Sequence, residues 1–357
     1  MSDITQQDAL TLDQIVWRGH EITPTQWAEV NVDYDFRKAI GEEVIELTRV
    51  AYAKGDNAAE NRVHDILGRI YEQDFSIPGV EQTECDTQPI LRDIASILER
   101  AMFEHELKQI PMEKIADYPR DGKAYVSWLL ELINAHGAAT HEFYESYVEA
   151  HGTPEDLRFL MVQESSLDPR FDDILALVQV GTIGVEKMEI AKNYWDEMGN
   201  GMLSEVHSTM FGSTHETLNI DSAFVTDNIL LEAKICGNVS AALALSRRHY
   251  YKAVGYYGAV EYLVPRRFTH LTKAWADLGM PAEGIKYHLL HMEIDVEHGE
   301  SWLYNVIGPA IDRDPCLGLD IAIGTYLRLN TSERYLDGVL AHCRSTREHA
   351  LISQQGA

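Results

Sequence analysis

The stretch HMEIDVEH, residues 291–298, sets His291, Asp295 and His298 at positions i, i+4 and i+7, one stripe of a helix with a turn between neighbours. Two imidazoles and a carboxylate aimed the same way either coordinate a metal ion or face water. A second stretch, EIAKNYWDEMGNGMLSEVH at 189–207, crowds Glu189, Asp196, Glu197, Glu205 and His207 among Ile190, Tyr194, Trp195, Met198 and Met202, whose spacing predicts a buried helical face. Carboxylates beside a core stripe need partners. Glu197 and His207 are ten residues apart, about 15 Å along an unbroken helix, too far to share a small cluster. Gly199-Asn200-Gly201 lies between them; these are poor helix formers that tolerate positive φ, so the spacing predicts a kink or unwinding that returns His207 to Glu197. Glu164, after Leu160-Met161-Val162, and Glu261, between Val260 and Tyr262, are further core-facing candidates. Together these are three histidines and four carboxylates on four helical segments. Nitrogen and oxygen ligation without thiolates suits iron or manganese better than structural zinc, as in dinuclear carboxylate sites of bundle cores.

Each feature also has a plainer reading. Alone, the stripe at 291–298 is a solvated face of an acidic chain, and His288, one turn earlier, competes for membership. Glu197 reads as a helix cap or surface acid, and Glu261 as a salt-bridge partner of Arg247 or Arg248. Arg266 and Arg267, after Pro265, read as surface ion pairs before they read as a clamp for a substrate carboxylate. Tyr250, Tyr251, Tyr256 and Tyr257 read as core packing before a radical relay, and the glycines of GYYG as sites of close helix packing.

The elements that must position these side chains are helices. EEVIELTRVAYAKG, HDILGRIYEQDF, ILRDIASILERAMFEHELKQI and SWLLELINAHGAATHEFYESYVEAHG space apolar residues by three and four, which predicts an all-α fold. SAFVTDNILLE is the nearest approach to a strand, and equally starts a helix at Asp221 or Ser222. Pro119 and Asp121-Gly122 in DYPRDGKAY interrupt the periodicity, dividing an N-terminal helical region, 1–125, with dimerisation as its expected role, from a domain at 126–357.

Composition narrows the partners. The 357 residues, 45% apolar, suffice for a large core, and 57 acidic against 30 basic residues give a net charge of −27, which disfavours nucleic acid and anionic membranes. The N-terminal segment lacks a basic-then-apolar leader and no apolar run reaches 18 residues, so the expectation is a cytoplasmic chain. Cys85, Cys236, Cys316 and Cys343 form no CxxC pair, leaving any metal to histidines and carboxylates.

The order Glu197-x9-His207, Glu261, His291-x3-Asp295-x2-His298, with NYWDEMGNG, GYYGAVEYLVP and HMEIDVEHGESWL around it, resembles the haem-oxygenase-like dimetal oxidases, also called the iron-containing redox enzyme family. The resemblance runs from about His141 to Val306. It implies a haem-oxygenase-like helical bundle with an N-terminal helical extension, holding two Fe ions (Fe2+/Fe3+) instead of haem and using O2 as co-substrate. It further implies Glu164, His207 and His298 on one iron and Glu261, His291 and Asp295 on the other, with Asp172 or Asp173 as substitutes for Glu164. Glu197 then resembles the additional carboxylate of N-oxygenating members, which act on amines or guanidines; members without it cleave or desaturate fatty or amino acids. Asn193, Tyr194 and Glu205 are candidates to orient the ligating imidazoles. The expected activity is that of a non-haem diiron oxygenase of natural-product biosynthesis acting on an amino acid or amine, as a homodimer, with room for an external electron donor. Oxidative C–C cleavage or desaturation, and a non-catalytic iron-binding helical protein, are the alternatives.

Overall fold

The computed structural model describes residues 10–79 and 88–355, and every regular element among them is helical. Cys85 lies outside the described residues. The chain divides into two compact units, Met1–His105 and Glu106–Ala357. In the first, α1 (Tyr34–Thr48), α2 (Asn57–Asp74) and α3 (Pro89–Leu107) are the long elements, and the division falls inside α3. The run ending AYAKG stops at Gly55, with φ at +69°, and Asp56 caps α2 through the Ala59 amide at 2.9 Å. Val63, Ile66, Leu67 and Ile70 form the buried stripe of α2.

The second unit contains α4 (Gly122–Asn134), α5 (Pro154–Glu164), α6 (Phe171–Val178), α7 (Gly184–Glu197), α8 (His207–Leu218), α9 (Ser222–Asn228), α10 (Leu231–Leu245), α11 (Tyr250–Asp277), α12 (Lys286–Trp302) and α13 (Gly318–Gln355). DYPRDG lies inside this unit, where Asp121 caps α4 through the Ala124 amide. SAFVTDN is helical, with Asp221 as its cap at 2.7 Å from the Phe224 amide.

The long helix α11 is central: it packs along α12 and along α13. Gly255, the first glycine of GYYG, lets α11 meet the Ile321 carbonyl of α13, where a Cβ would collide. Phe143, Leu157, Leu160, Phe211, Phe268, Leu271, Trp275, Leu336 and Val339 fill the core around it. Tyr256 and Tyr257 are fully buried in that packing and donate their hydroxyls to the carbonyls of Cys236 and Ser240. Among the described residues no single helix is long and apolar enough to cross a membrane.

Candidate metal centre

The buried stripe of α7 differs from the one its apolar residues predict. Trp195 and Met202 are exposed, and the helix turns Glu186, Glu189, Ile190, Asn193 and Glu197 inward. The acids win this face because partners await them: Arg313 pairs with Glu186, and Asn305 donates to Glu189 at 2.9 Å. Glu197 is the last residue of the helix.

The chain then reverses where the glycines stand. Gly199, Asn200 and Gly201 all take left-handed φ, at +59°, +52° and +88°, and α8 starts afresh at His207. A Cβ on Gly199 would lie 2.7 Å from both the Glu205 carbonyl oxygen and the Val206 nitrogen, so glycine is required by sterics as well as by φ. The reversal brings His207 Nδ1 to 2.6 Å from Glu197 Oε2.

From α11 and α12 come the remaining side chains. Pro265 has no N–H for the Glu261 carbonyl one turn back, which loosens the helix at that residue. Gly299 lets α12 cross there: its Cβ would stand 3.0 Å from Tyr262 Cα and 3.2 Å from the Glu261 carbonyl oxygen. Glu261 therefore faces α12, and Arg247 instead donates to the Leu177 carbonyl at 2.7 Å.

Six of the seven expected ligands gather into two groups. Glu197, His207 and His291 form one, and Glu261, Asp295 and His298 the other, with the candidate ligand atoms of each group within 4.8 Å of one another. All six residues are at most 5% exposed. The groups are neighbours, since Asp295 acts electrostatically on His291 and Glu197 on Glu261. This grouping exchanges the two histidines of α12 relative to the implied division, in which His298 joined His207 and His291 joined Glu261. Seven residues of helix separate them by about 10 Å, so each end of the stripe serves the group nearest to it.

Glu164 enters neither group. Its Oε2 lies 3.0 Å from Nε2 of His288, the residue that competed for the stripe, and its Oε1 accepts from Tyr144 at 3.5 Å. Asp172 has a different setting: it is half-buried, accepts from Ser208 Oγ at 3.5 Å and from the Asp173 amide at 2.8 Å, and is pushed up by burial, which outweighs that amide, and by the charges of Asp173 and Glu197.

The chemistry of the donor set is that of a cation site. His207 Nδ1, Glu261 Oε1, Asp295 Oδ1 and His298 Nδ1 are buried without a hydrogen-bond partner. His207 Nδ1 approaches Glu197, and His298 Nδ1 approaches Asp295 at 3.3 Å, but neither pair is aligned as a hydrogen bond. The lone pairs converge on common space, and buried carboxylates cost several kcal/mol each unless a cation or hydrogen bonds offset them. The outer ring nitrogens are tied down: His298 Nε2 to Asp196 at 2.9 Å, and His291 Nδ1 to the Tyr287 carbonyl at 2.8 Å. These acceptors replace the candidates Asn193, Tyr194 and Glu205; Asn193 donates to Glu189, and Glu205 is exposed. Tyr287 sits four residues before His291, so its carbonyl was a helical neighbour that the sequence offered.

Protonation follows from the crowding of these groups. Burial works against the imidazolium of His291, but Asp295 and Glu197 outweigh it and push the pKa to about 10. Burial likewise opposes His298, and Asp295, Glu261 and Asp196 push it to about 9. Burial would raise Glu197, yet His207 and His291 hold it down at about 2, whereas burial and Asp295 drive Glu261 well above the carboxylate range.

Residues 158–333, which include every side chain of both groups, match a family model described as iron-containing redox enzyme. This segment belongs to the iron-containing redox enzyme family. The all-α bundle is the fold expected of that haem-oxygenase-like family, and an oxidoreductase built on iron is the activity class the membership carries. Comparison with curated proteins gives no match. For an iron-containing redox enzyme, the donor set is apt: imidazoles and carboxylates without thiolates.

Proposed function

We propose that this iron-containing redox enzyme is a non-haem diiron oxygenase that uses O2 to oxygenate the nitrogen of an amine or amino-acid-derived substrate in natural-product biosynthesis. The observation that carries the reading is the pair of adjacent buried groups whose inner donor atoms have no hydrogen-bond partner. Glu197, His207 and His291 would hold one iron, and Glu261, Asp295 and His298 the other. Iron bound there supplies the redox chemistry with O2, and an external donor provides two electrons as amine, O2 and two protons become hydroxylamine and water.

The protein's own part is to orient and to exclude water. Asp196 and the Tyr287 carbonyl fix the imidazoles of His298 and His291, so that a single ring nitrogen of each points inward. Glu197 is a member of its group, and nitrogen as the site of oxygenation is supported by the resemblance of a carboxylate at this place to that of the N-oxygenating members. A cleft of about 440 Å³ lined by Leu130, Leu263, Val296 and Leu303 reaches Asp295, and its apolar walls favour C–C cleavage or desaturation of an aliphatic substrate as the second reading.

The test is anaerobic loading with Fe(II) followed by O2 and a panel of amines and amino acids. The expected result is about two irons per chain, substrate-stimulated O2 uptake and a product heavier by one oxygen, with His291→Ala and His298→Ala losing iron while circular dichroism keeps its helical signal. An alkene or shortened chain as product selects the second reading. Iron bound without O2 uptake overturns both and leaves an iron-binding protein.

A further inference from the structure

Outside the two groups, the second unit buries a second set of charged side chains. Glu164, Asp168, Arg267 and Arg328 line one cavity together with Tyr144 and Tyr335. Arg266, next in sequence to Arg267, makes the expected surface pair with Glu145 at 2.6 Å, but Arg267 is only 4% exposed and Arg328 only 6%. Among the described residues neither buried guanidinium has an ion-pair partner. Arg267 donates Nη2 to the Ala138 carbonyl at 2.7 Å and Arg328 donates Nη1 to Cys236 Sγ at 3.1 Å, while the Nε donor of each has no acceptor. A buried guanidinium with no carboxylate on its donors is costly, and its fork of donors matches one.

The opposite charge lines the same cavity, and Arg267 and Arg328 both act electrostatically on Glu164 there. Glu164 is buried at 8% exposure and Asp168 is partly buried. Burial pushes each up to about 8, with Glu164 adding to the rise of Asp168. Such acids gain from a cationic neighbour. The cavity offers about 40 Å³ to solvent, room for roughly three waters at ~10–15 Å³ each, which is the bulk of an ammonium, its carbon and a carboxylate.

The cavity borders the metal centre. Val260, on its wall, precedes Glu261, and Phe268, also on its wall, packs its ring against His288 and His291 with centroids 4.6 and 6.2 Å away. Glu164 and Asp168 both feel the charge of His291.

We propose that this cavity is the head-group site of the substrate: Arg267 and Arg328 take the carboxylate of an α-amino acid, and Glu164 with Asp168 take its ammonium, leaving the remainder of the molecule to reach the metal centre. The inference rests on the oxygenase reading for what happens to the substrate, but not for its binding. It gives Glu164 a role at the substrate in place of the one at a metal, and returns Arg267 to the carboxylate clamp that its sequence position ranked second.

The test is calorimetry and thermal shift on the full-length chain, with and without iron, against the standard L-α-amino acids. Each ligand found is repeated as its decarboxylated amine and as its methyl ester, with acetate as a competitor. At least one amino acid should bind, and loss of its carboxylate should weaken binding on the order of tenfold to a hundredfold. Arg267→Lys and Arg328→Lys, which keep the charge and lose the fork, should show a similar loss with unchanged circular dichroism and iron content. Equal affinity for the amine, wild-type affinity in both lysine variants, acetate binding as tightly as the amino acid, or no amino acid bound would each overturn the proposal. Failure of the wild-type chain to bind iron sinks the oxygenase reading alone, whereas amino-acid binding indifferent to both arginines sinks this one alone.

Discussion

Gly199→Ala is the substitution that most sharply separates the turn from the helices it joins. Alanine at φ +59° costs about 1–2 kcal/mol from the left-handed backbone. Its Cβ, 2.7 Å from the Glu205 oxygen and the Val206 nitrogen, adds about 1–3 kcal/mol of overpacking against backbone that cannot step aside cheaply. Reduced freedom of the unfolded chain returns ~0.4–1 kcal/mol, which leaves a net cost of roughly 1–5 kcal/mol, with about 3 at the centre of these ranges. Two outcomes are open to the chain: it keeps the turn and loses roughly 5–15 °C in Tm, or it relaxes the turn and withdraws His207 from Glu197. In the second case, metal affinity of the Glu197 group falls on the order of 30- to 1,000-fold while the Glu261 group still binds. Differential scanning calorimetry with iron titration measures both. Gly212→Ala is the control, because its Cβ meets nothing within 4 Å on α8, and it should be neutral or stabilise by up to ~1 kcal/mol. A Gly199→Ala chain with wild-type Tm and wild-type iron binding refutes the claim that this turn builds the site.

Other consequences follow from the same geometry. Without metal, His291 and His298 are imidazolium at neutral pH, with folded pKa values of about 10 and about 9, above the unfolded value of about 6.5. Their stabilisation is therefore whole below about pH 6.5 and is lost as pH rises through 9–10, so Tm of the metal-free chain should fall over that window; a Tm that rises there contradicts the assignment. Metal binding needs both rings neutral, so loading should release a proton from each and tighten as pH rises, and calorimetry in buffers of different ionisation enthalpy should show it. Asp196→Asn, which weakens the acceptor of His298 Nε2, should reduce metal affinity about 10–100-fold with little change in Tm. Glu106→Ala removes the partner of Arg334 at 2.7 Å, and because the guanidinium left behind is 32% exposed and can turn to water, it should cost about 1–3 kcal/mol in chemical denaturation while iron content stays constant; a loss under about 0.5 kcal/mol, on the order of a surface pair, would show the pair to be solvated.

Much of the centre was legible because helix geometry is regular. His291, Asp295 and His298 share a face by spacing alone, Gly199-Asn200-Gly201 announces a reversal, and Glu261 stands out as a charge in an apolar run. Adjacent acids were harder. Nothing in the order Asp196-Glu197 says which faces inward, and both act, one on each imidazole cluster. The apolar run before Glu164 shows only that it is buried, and the resemblance that gives it to an iron does not reveal its partner, His288 at 3.0 Å. The Arg267–Arg328 cavity depends on residues far apart in sequence that only the packing of α11 on α13 unites. The unit division after His105 falls near the end of a continuous helix whose one proline, Pro89, stands at its first position, while the Pro and Asp-Gly of DYPRDG mark a turn inside one unit.

Anomalous scattering at the iron edge, from crystals of the iron-loaded protein, tests the central claim most directly. Two peaks are expected in the second unit, one among Glu197, His207 and His291 and one among Glu261, Asp295 and His298. A single peak, or iron bound anywhere else, would contradict a dinuclear centre.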